Sequence, residues 1–336
     1  MNDSLLKIEI ESDREPSNPL LKIDTNFRTY LRAYTRSSNG HLIGGTLDYA
    51  FDSDYAVRQK IVGLPGWGKL SKAIMTQDVT EEAKFLFLKV NQAGSLKYPE
   101  VYEIAKMCAE RLELILPTVF VRDDTDKKII YSISSDIIEP CIVLTESLIE
   151  MCTSEELQLL IGSECGRIQN NHSIYNMAYK YFNCDKRGFI PAEQSYHLPV
   201  SNQLIFALAE WVKLADVTAD RAGMICCDEP ERYCEILASI YEKGYRDFYS
   251  RCVEEMNFEK LVGQAQRIHY LPARNIIIEK STSADERRML ASVEFLNCDV
   301  LYDWRKDISN DGMHVINGQL CDARCNIIIG TANAEV

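Results

Sequence analysis

The stretch that most constrains this chain runs from Thr153 to His172 and reads TSEELQLLIGSECGRIQNNH. Thr153 and Glu156 stand at capping-box spacing, which predicts a helix beginning just after Thr153. Leu157, Leu160, Ile161, Cys165 and Ile168 then recur at steps of three and four, the pattern of one buried stripe. Glu164 falls inside that stripe. A buried carboxylate needs a cation, hydrogen-bond donors or a shifted pKa, so a polar site is expected on the apolar face of this helix.

Three further segments accompany it: Pro140-Cys-Ile-Val-Leu-Thr-Glu-Ser-Leu148, Glu155-Glu-Leu157 and Asp216-Val-Thr-Ala-Asp-Arg-Ala-Gly223. Together they resemble the HtpX and CAAX-prenyl-endopeptidase family of zinc metallopeptidases, of gluzincin type. That family has a strand ending in IVLT, a helix carrying H-E-x-x-H, and an E-x-x-A-D-R-A-G segment. The resemblance covers residues 46–305 and implies an α+β, mostly helical domain with a small mixed sheet beside the former metal-binding helix. It aligns Glu164 with the general base, and Ser163 and Arg167 with the two zinc-binding histidines. Asp216 stands where the third ligand, a Glu, belongs; Asp220 and His172 stand at positions that support the site from behind.

Zinc takes three protein ligands and one open position for water. The H-E-x-x-H spacing supplies two imidazoles from one helix face with a carboxylate between them. This chain has five histidines, at 41, 172, 197, 269 and 314, and no two are spaced to make that motif. Arg167 is a permanent cation that repels a metal, and Ser163 is a poor neutral ligand. The expectation is that zinc is absent, with Arg167 pairing Asp216 and Glu164 in its place. The other reading has Arg167 facing solvent and Glu164 protonated or bonded to water. Function follows as a pseudopeptidase that binds a peptide or protein: a precursor peptide, an active homologous protease, or another copy of itself. The alternative is an active metal-dependent endopeptidase with unusual ligands, zinc bound by some set of Glu164, Asp216, Cys165 and His172. Ser163 is mid-helix with no nearby His in sequence, a poor serine nucleophile. Cys321 and Cys325 form a lone C-x-x-x-C pair, weak as a zinc signal.

In order along the chain, residues 1–45 read as a polar arm or cap, 46–305 as the main domain, and 306–336 as a C-terminal extension. An apolar strand at Cys325–Gly330 marks a candidate β-hairpin in that extension. Gly63-Leu-Pro-Gly-Trp-Gly-Lys-Leu70 approaches a phosphate loop but lacks its final hydroxyl, so a helix-to-helix turn is expected there. Helices are expected at 48–62, 70–74, 80–92, 99–114 and from Ser201 through Gly223. Strands are expected at 118–122, 129–134 and 138–144; their edge pairs with an extended peptide or is covered by the N-terminal arm. A net charge of -13 excludes a nucleic-acid surface and favours partners with basic patches. The 12 cysteines are scattered without a framework, and no basic leader or long apolar run is present. The reading is a reduced, cytoplasmic protein without a membrane span.

Overall fold

The computed structural model describes residues 41–43, 46–136, 138–183, 201–245, 258–310 and 314–331. Most of the expected N-terminal arm and residues 184–200 and 311–313 lie outside the described residues. Two short strands, β1 (Leu42–Ile43) and β2 (Thr46–Leu47), pair antiparallel and lead into α1 (Asp52–Val62), α2 (Trp67–Ile74), a π-helical turn at Met75–Val79 and α3 (Thr80–Lys89). Next come β3 (Asn91–Gln92), α4 (Pro99–Arg111), β4 (Thr118–Arg122), β5 (Ile130–Ser135) and β6 (Ile138–Thr145). The helices that follow are α5 (Glu146–Met151), α6 (Ser154–Gln169), α7 (Ser173–Asn183), α8 (Asn202–Cys226), α9 (Tyr233–Glu242), α10 (Phe258–His269), α11 (Ala284–Glu294), α12 (Asp299–Trp304) and α13 (Gly318–Ile329). Among the described residues, no helix is long and apolar enough to cross a membrane.

The expected mostly helical α+β fold with a small mixed sheet is what the chain forms. Strand order is β3-β4-β6-β5, with β4 and β6 parallel and the other two pairings antiparallel. A strand's side chains alternate between faces, and here each face meets its own core. Val119, Val121, Ile130, Ile142 and Leu144 enter the main core, which α4, α6 and α8 complete. Phe120, Tyr131, Ile133, Cys141 and Val143 enter a second core with Trp67, Leu70, Trp211 and Val212. The sheet is therefore buried on both sides, which is why its strands read as nearly continuous apolar runs.

Helix α6 starts as its sequence dictates. Thr153 Oγ1 accepts from Glu156 N at 3.3 Å while Glu156 Oε2 accepts from Thr153 N at 2.7 Å. It crosses α8 closely because small residues face each other at the contact. A Cβ built on Gly162 would come within 2.5 Å of Cys226 Cβ, and one on Gly166 would overlap Ala222.

Two expectations needed correction, and one further expectation, the helix-to-helix turn at the glycine-rich octet, matches the structure. Cys325–Gly330 is not a strand, and no hairpin forms there: α13 is capped by Asn317, whose side chain accepts from Leu320 N at 2.9 Å, and ends at Gly330 with φ 89°. Cys321, Cys325 and Ile328 are all buried at helical spacing in the main core. The β-branched run Ile327–Ile329 mimicked a strand, but burial follows the helical period. The expected helix at 80–92 stops at Lys89, and Asn91–Gln92 adds a fourth strand to the sheet. The glycine-rich octet turns between α1 and α2 with Gly66 at φ 94°, and Trp67 is buried and stacked 4.6 Å from Tyr175. A helix rather than a strand precedes it, so the octet is a packed turn.

Candidate functional site

The polar residues of the α6 stripe meet those of α8 and α11 in a buried row of alternating charge. Glu164, Arg167, Asp216 and Asp220 are each at most 5% exposed. Arg167 reaches back one turn to Glu164, Nε to Oε1 at 3.3 Å, and across to α8, where Nη2 donates to Asp216 Oδ1 at 2.9 Å. Spacing on α6 permits this: residues three apart share a face.

Asp216 is also held from the other side. Arg288 of α11 puts Nη1 3.3 Å from Asp216 Oδ2 and grips Asp220 with two donors, Nε to Oδ2 at 2.7 Å and Nη2 to Oδ1 at 2.6 Å. That fork geometry is the strong form of an Arg–carboxylate pair. Tyr233 and Ser292 hydroxyls each donate to Asp220 Oδ2 at 2.9 Å. Burial alone would lower the Arg288 pKa, but Asp220 and Asp216 beside it raise it well above its usual value. The row thus runs Glu164, Arg167, Asp216, Arg288, Asp220, three carboxylates interleaved with two guanidinium groups.

Ser163 and His172 stand apart from this row. Ser163 Oγ donates to Leu159 O in its own helix at 2.8 Å. His172 is fully buried with Nε2 2.9 Å from Asp54 Oδ2, on α1 rather than at Asp216. Asp54 collects three more donors: Arg58 Nε at 3.0 Å, Trp211 Nε1 at 2.7 Å and Thr218 Oγ1 at 2.8 Å. Burial opposes ionisation of Asp54, yet His172, Arg58 and these hydrogen bonds hold its carboxyl far below the usual range. Burial pushes the His172 pKa down, with Arg58 and Arg167 adding to the effect against the pull of Asp54. Burial thus favours the neutral imidazole, which in that form donates from Nε2 to the Asp54 carboxylate. Cys165 is buried in the apolar core with its thiol pKa raised by burial.

The side chains present do not fit a zinc ion. Of the positions that face the row, one carries a guanidinium, and the serine hydroxyl is turned to a backbone carbonyl. Both oxygens of Asp216 already face cations. Among the described residues, no group of three His, Cys, Asp or Glu side chains is arranged to hold a metal.

The outer edge of β5 is bridged as well. Ser134 N donates to Ser173 Oγ at 3.1 Å, and Ser173 Oγ lies 3.4 Å from Ser132 O, so α7 supplies partners where an added strand would pair. Sequence reasoning missed Arg288 and the Asp54 centre. Their signals were present: Asp285, Arg288 and Ser292 form a polar stripe on α11, and Asp54 and Arg58 stand four apart on α1.

Comparison with known proteins bears on the same region. A family model described as Peptidase family M48 matches residues 99–269, from α4 through α10, and so takes in the sheet and both site helices. The chain is similar to a curated protein of Arabidopsis thaliana named plastoglobule-localized metallopeptidase 48, chloroplastic, at 25% identity over 189 residues. That alignment covers 53% of this chain and 50% of the relative, so the chain spans about half of that protein's length. No solved structure matches.

Proposed function

This chain belongs to peptidase family M48, and from that premise we propose that it is a metal-free, catalytically inactive member that works by binding a protein or peptide. One observation carries the reading: Arg167 lies where the resembled motif puts a zinc-binding histidine, and its guanidinium pairs with Glu164 and Asp216. The charge that a divalent ion would bring to these carboxylates is supplied by the side chain. With Arg167 engaged, Glu164 faces a cation instead of a metal-bound water and has no proton to take.

The partner is expected to present a basic surface, since the chain carries a net charge of -13. It is not expected to add a strand to β5, whose outer edge Ser173 already bridges. A precursor peptide and an active homologous protease fall within that class; a second copy of this chain, itself at -13, would have to dock against the overall charge. Ten described cysteines are free thiols, which supports a reducing compartment, and we place the protein in the cytoplasm.

The test is metal content by elemental mass spectrometry after exhaustive dialysis, on the wild type and on the triple variant Ser163→His, Arg167→His, Asp216→Glu. The wild type should carry under about a tenth of an equivalent of zinc, and the variant should take up close to one, as three donors and an open position allow. Near one equivalent in the wild type, lost on Asp216→Asn, would restore a working metallopeptidase.

A further inference from the structure

From Trp67 to Lys89 the chain forms a single helical rod about 35 Å long. Its backbone stays right-handed through the π turn, with φ -56° and ψ -49° at Ile74 and φ -63° and ψ -40° at Val79. Trp67, Leu70, Ile74, Val79 and Leu86 belong to the second core. The step of five from Ile74 to Val79 falls on the π turn, whose extra residue keeps that apolar stripe facing inward along the rod. The outer side carries Lys69, Lys72, Lys84 and Lys89 with Phe85 and Leu88, all exposed. Leu88 is 77% exposed. Beyond β3, Gly94 N donates to Lys97 O at 2.8 Å and closes a turn with Leu96 at its tip, 99% exposed.

Charge is distributed to match. Residues 55–98 hold seven Lys and Arg against three Asp and Glu, whereas the whole chain holds 37 against 50. Of the acids on the rod, Glu81 pairs with Lys84 at 2.7 Å, Asp78 is half-buried, and Glu82 accepts from the Tyr131 hydroxyl at 2.6 Å and faces Arg122 at 3.9 Å. At the rim, Asp124 pairs with Arg122, and Asp123 stays exposed beside Asn91. At physiological salt a surface charge acts over roughly 8 Å, so the local cations rather than the net charge of the chain set the field at this face. Leucines that project so far beyond their neighbours would each need a matching pocket on a folded partner. A lipid headgroup layer instead flows around them, takes in leucine and phenylalanine, and lets lysine stems snorkel to its phosphates.

We propose that the outer face of this rod, with the Leu96 turn, docks on the surface of an anionic bilayer. Phe85, Leu88 and Leu96 enter the headgroup layer, and Lys69, Lys72, Lys89 and Lys97 face its anionic groups. No membrane span is involved; the contact is peripheral and reversible. The acidic remainder of the surface stays open to a basic partner. The inference is independent of whether the charged row binds zinc, so the metal analysis above neither supports nor weakens it.

The experiment is flotation of the full-length protein with vesicles of phosphatidylcholine alone and of phosphatidylcholine containing about a third phosphatidylserine. Binding to the anionic vesicles should be at least about tenfold stronger than to the neutral ones, and should be lost as salt rises from about 0.1 M to about 1 M. Each lysine near the surface contributes about fivefold, so Lys69→Glu with Lys72→Glu should weaken binding at least about 25-fold. The same charge change at the exposed Lys280 and Lys306, in Lys280→Glu with Lys306→Glu, should alter it less than about threefold. Leu88→Ser with Leu96→Ser should weaken binding about tenfold while leaving its salt dependence in place. Circular dichroism of these surface variants, expected to match the wild type, separates loss of docking from loss of fold. Absence of binding to anionic vesicles, equal binding to neutral ones, or equal losses in the two lysine pairs would each overturn the proposal. Retention of a poly-glutamate peptide without retention of vesicles would overturn it as well, and would assign the face to an acidic peptide.

Discussion

Two buried polar centres flank the α6–α8 crossing, and they solve the same electrostatic problem in different ways. In the row from Glu164 to Asp220, every charge has an opposite charge beside it. At Asp54, a single carboxylate is surrounded by four donors, of which the indole, the hydroxyl and the neutral imidazole carry no charge. A row of pairs is vulnerable at each rung, because removing any member strands a neighbour. A many-donor centre tolerates loss of a donor and fails only when its anion goes. The row belongs to the segment that resembles a catalytic motif, whereas the Asp54 centre ties α1 to α8 and to the start of α7.

The largest effect is therefore expected at Asp54. Asp54→Ala leaves the Arg58 guanidinium without its carboxylate, a loss of ~3 to 5 kcal/mol. It also orphans the Trp211 and Thr218 donors, which adds ~1 to 3 kcal/mol for each buried group. Equilibrium urea unfolding should show a total above ~5 kcal/mol, or no folded protein at all. Thr218→Val, by contrast, should cost only ~1 to 3 kcal/mol: three donors remain at Asp54, and the loss is chiefly that of the acceptor for Phe51 N. A loss at Thr218 as large as that at Asp54 would show that the centre is not a shared-donor site.

Next in size is Arg167→Ala, for which the row predicts ~3 to 5 kcal/mol in the same assay, the cost of breaking a buried pair from one side. Removing Glu164 as well, in Glu164→Leu with Arg167→Met, should recover part of it, because Glu164 is no longer stranded while Asp216 keeps only Arg288. The coupling between the two positions should amount to ~0.5 to 3 kcal/mol in a double-mutant cycle. Additive losses would mean that Arg167 does not hold Glu164 in solution.

How much of this could be seen without the structure differs between the two centres for a physical reason. Glu164 announced itself because a carboxylate broke an apolar stripe of known period, and Asp216 and Asp220 sat four apart in a recognisable segment. Arg288 escaped notice because α11 carries charges on several faces, and only packing against α8 selects which one turns inward. Asp54 was hidden in the same way: α1 has little contrast between its faces, with Asp52, Asp54, Arg58 and Lys60 all within three turns. Periodicity reports which face is buried only when that face is apolar. The tail failed for the converse reason, since Asn-Ile-Ile-Ile carries strand propensity, while the cap at Asn317 and burial of Cys321, Cys325 and Ile328 impose a helix. Residue order at the fourth strand gave no signal because two residues are too few for a pattern.

A smaller effect tests the crossing that both centres share. Gly162→Ala puts a methyl 2.5 Å from Cys226 Cβ and 2.8 Å from its Sγ, where helix backbones on both sides limit relaxation. The helix-propensity gain from replacing glycine, ~1 kcal/mol, is expected to be outweighed by overpacking of ~1 to 3 kcal/mol. A net loss of about 1 kcal/mol should follow. Gly68→Ala on α2 meets nothing within 4 Å and should instead stabilise slightly. Equal behaviour of the two variants would remove close packing as the reason for glycine at the crossing.

The smallest prediction separates the centres by pH. His172 has its pKa lowered from an ordinary 6.5 by burial, so below that value the unfolded chain takes up a proton that the folded chain refuses. Stability contributed by the neutral imidazole is present above pH 6.5 and declines as pH falls, with a slope of at most ~1.4 kcal/mol per pH unit for one proton. His269, half-buried beside Glu294, Arg324 and His314, is lowered by burial in the same direction and adds to the trend. Between pH 7.5 and 5.5 the wild type should lose stability in urea titrations, and His172→Gln should flatten the His172 share of that slope. Asp54 contributes oppositely placed behaviour: its carboxyl is held so low that its stabilisation persists through this window and is lost only in strong acid. A slope that survives unchanged in His172→Gln with His269→Gln would mean that the imidazole at Asp54 is charged in the folded protein. The Asp54 centre would then be an ion pair, like the rungs of the row beside it.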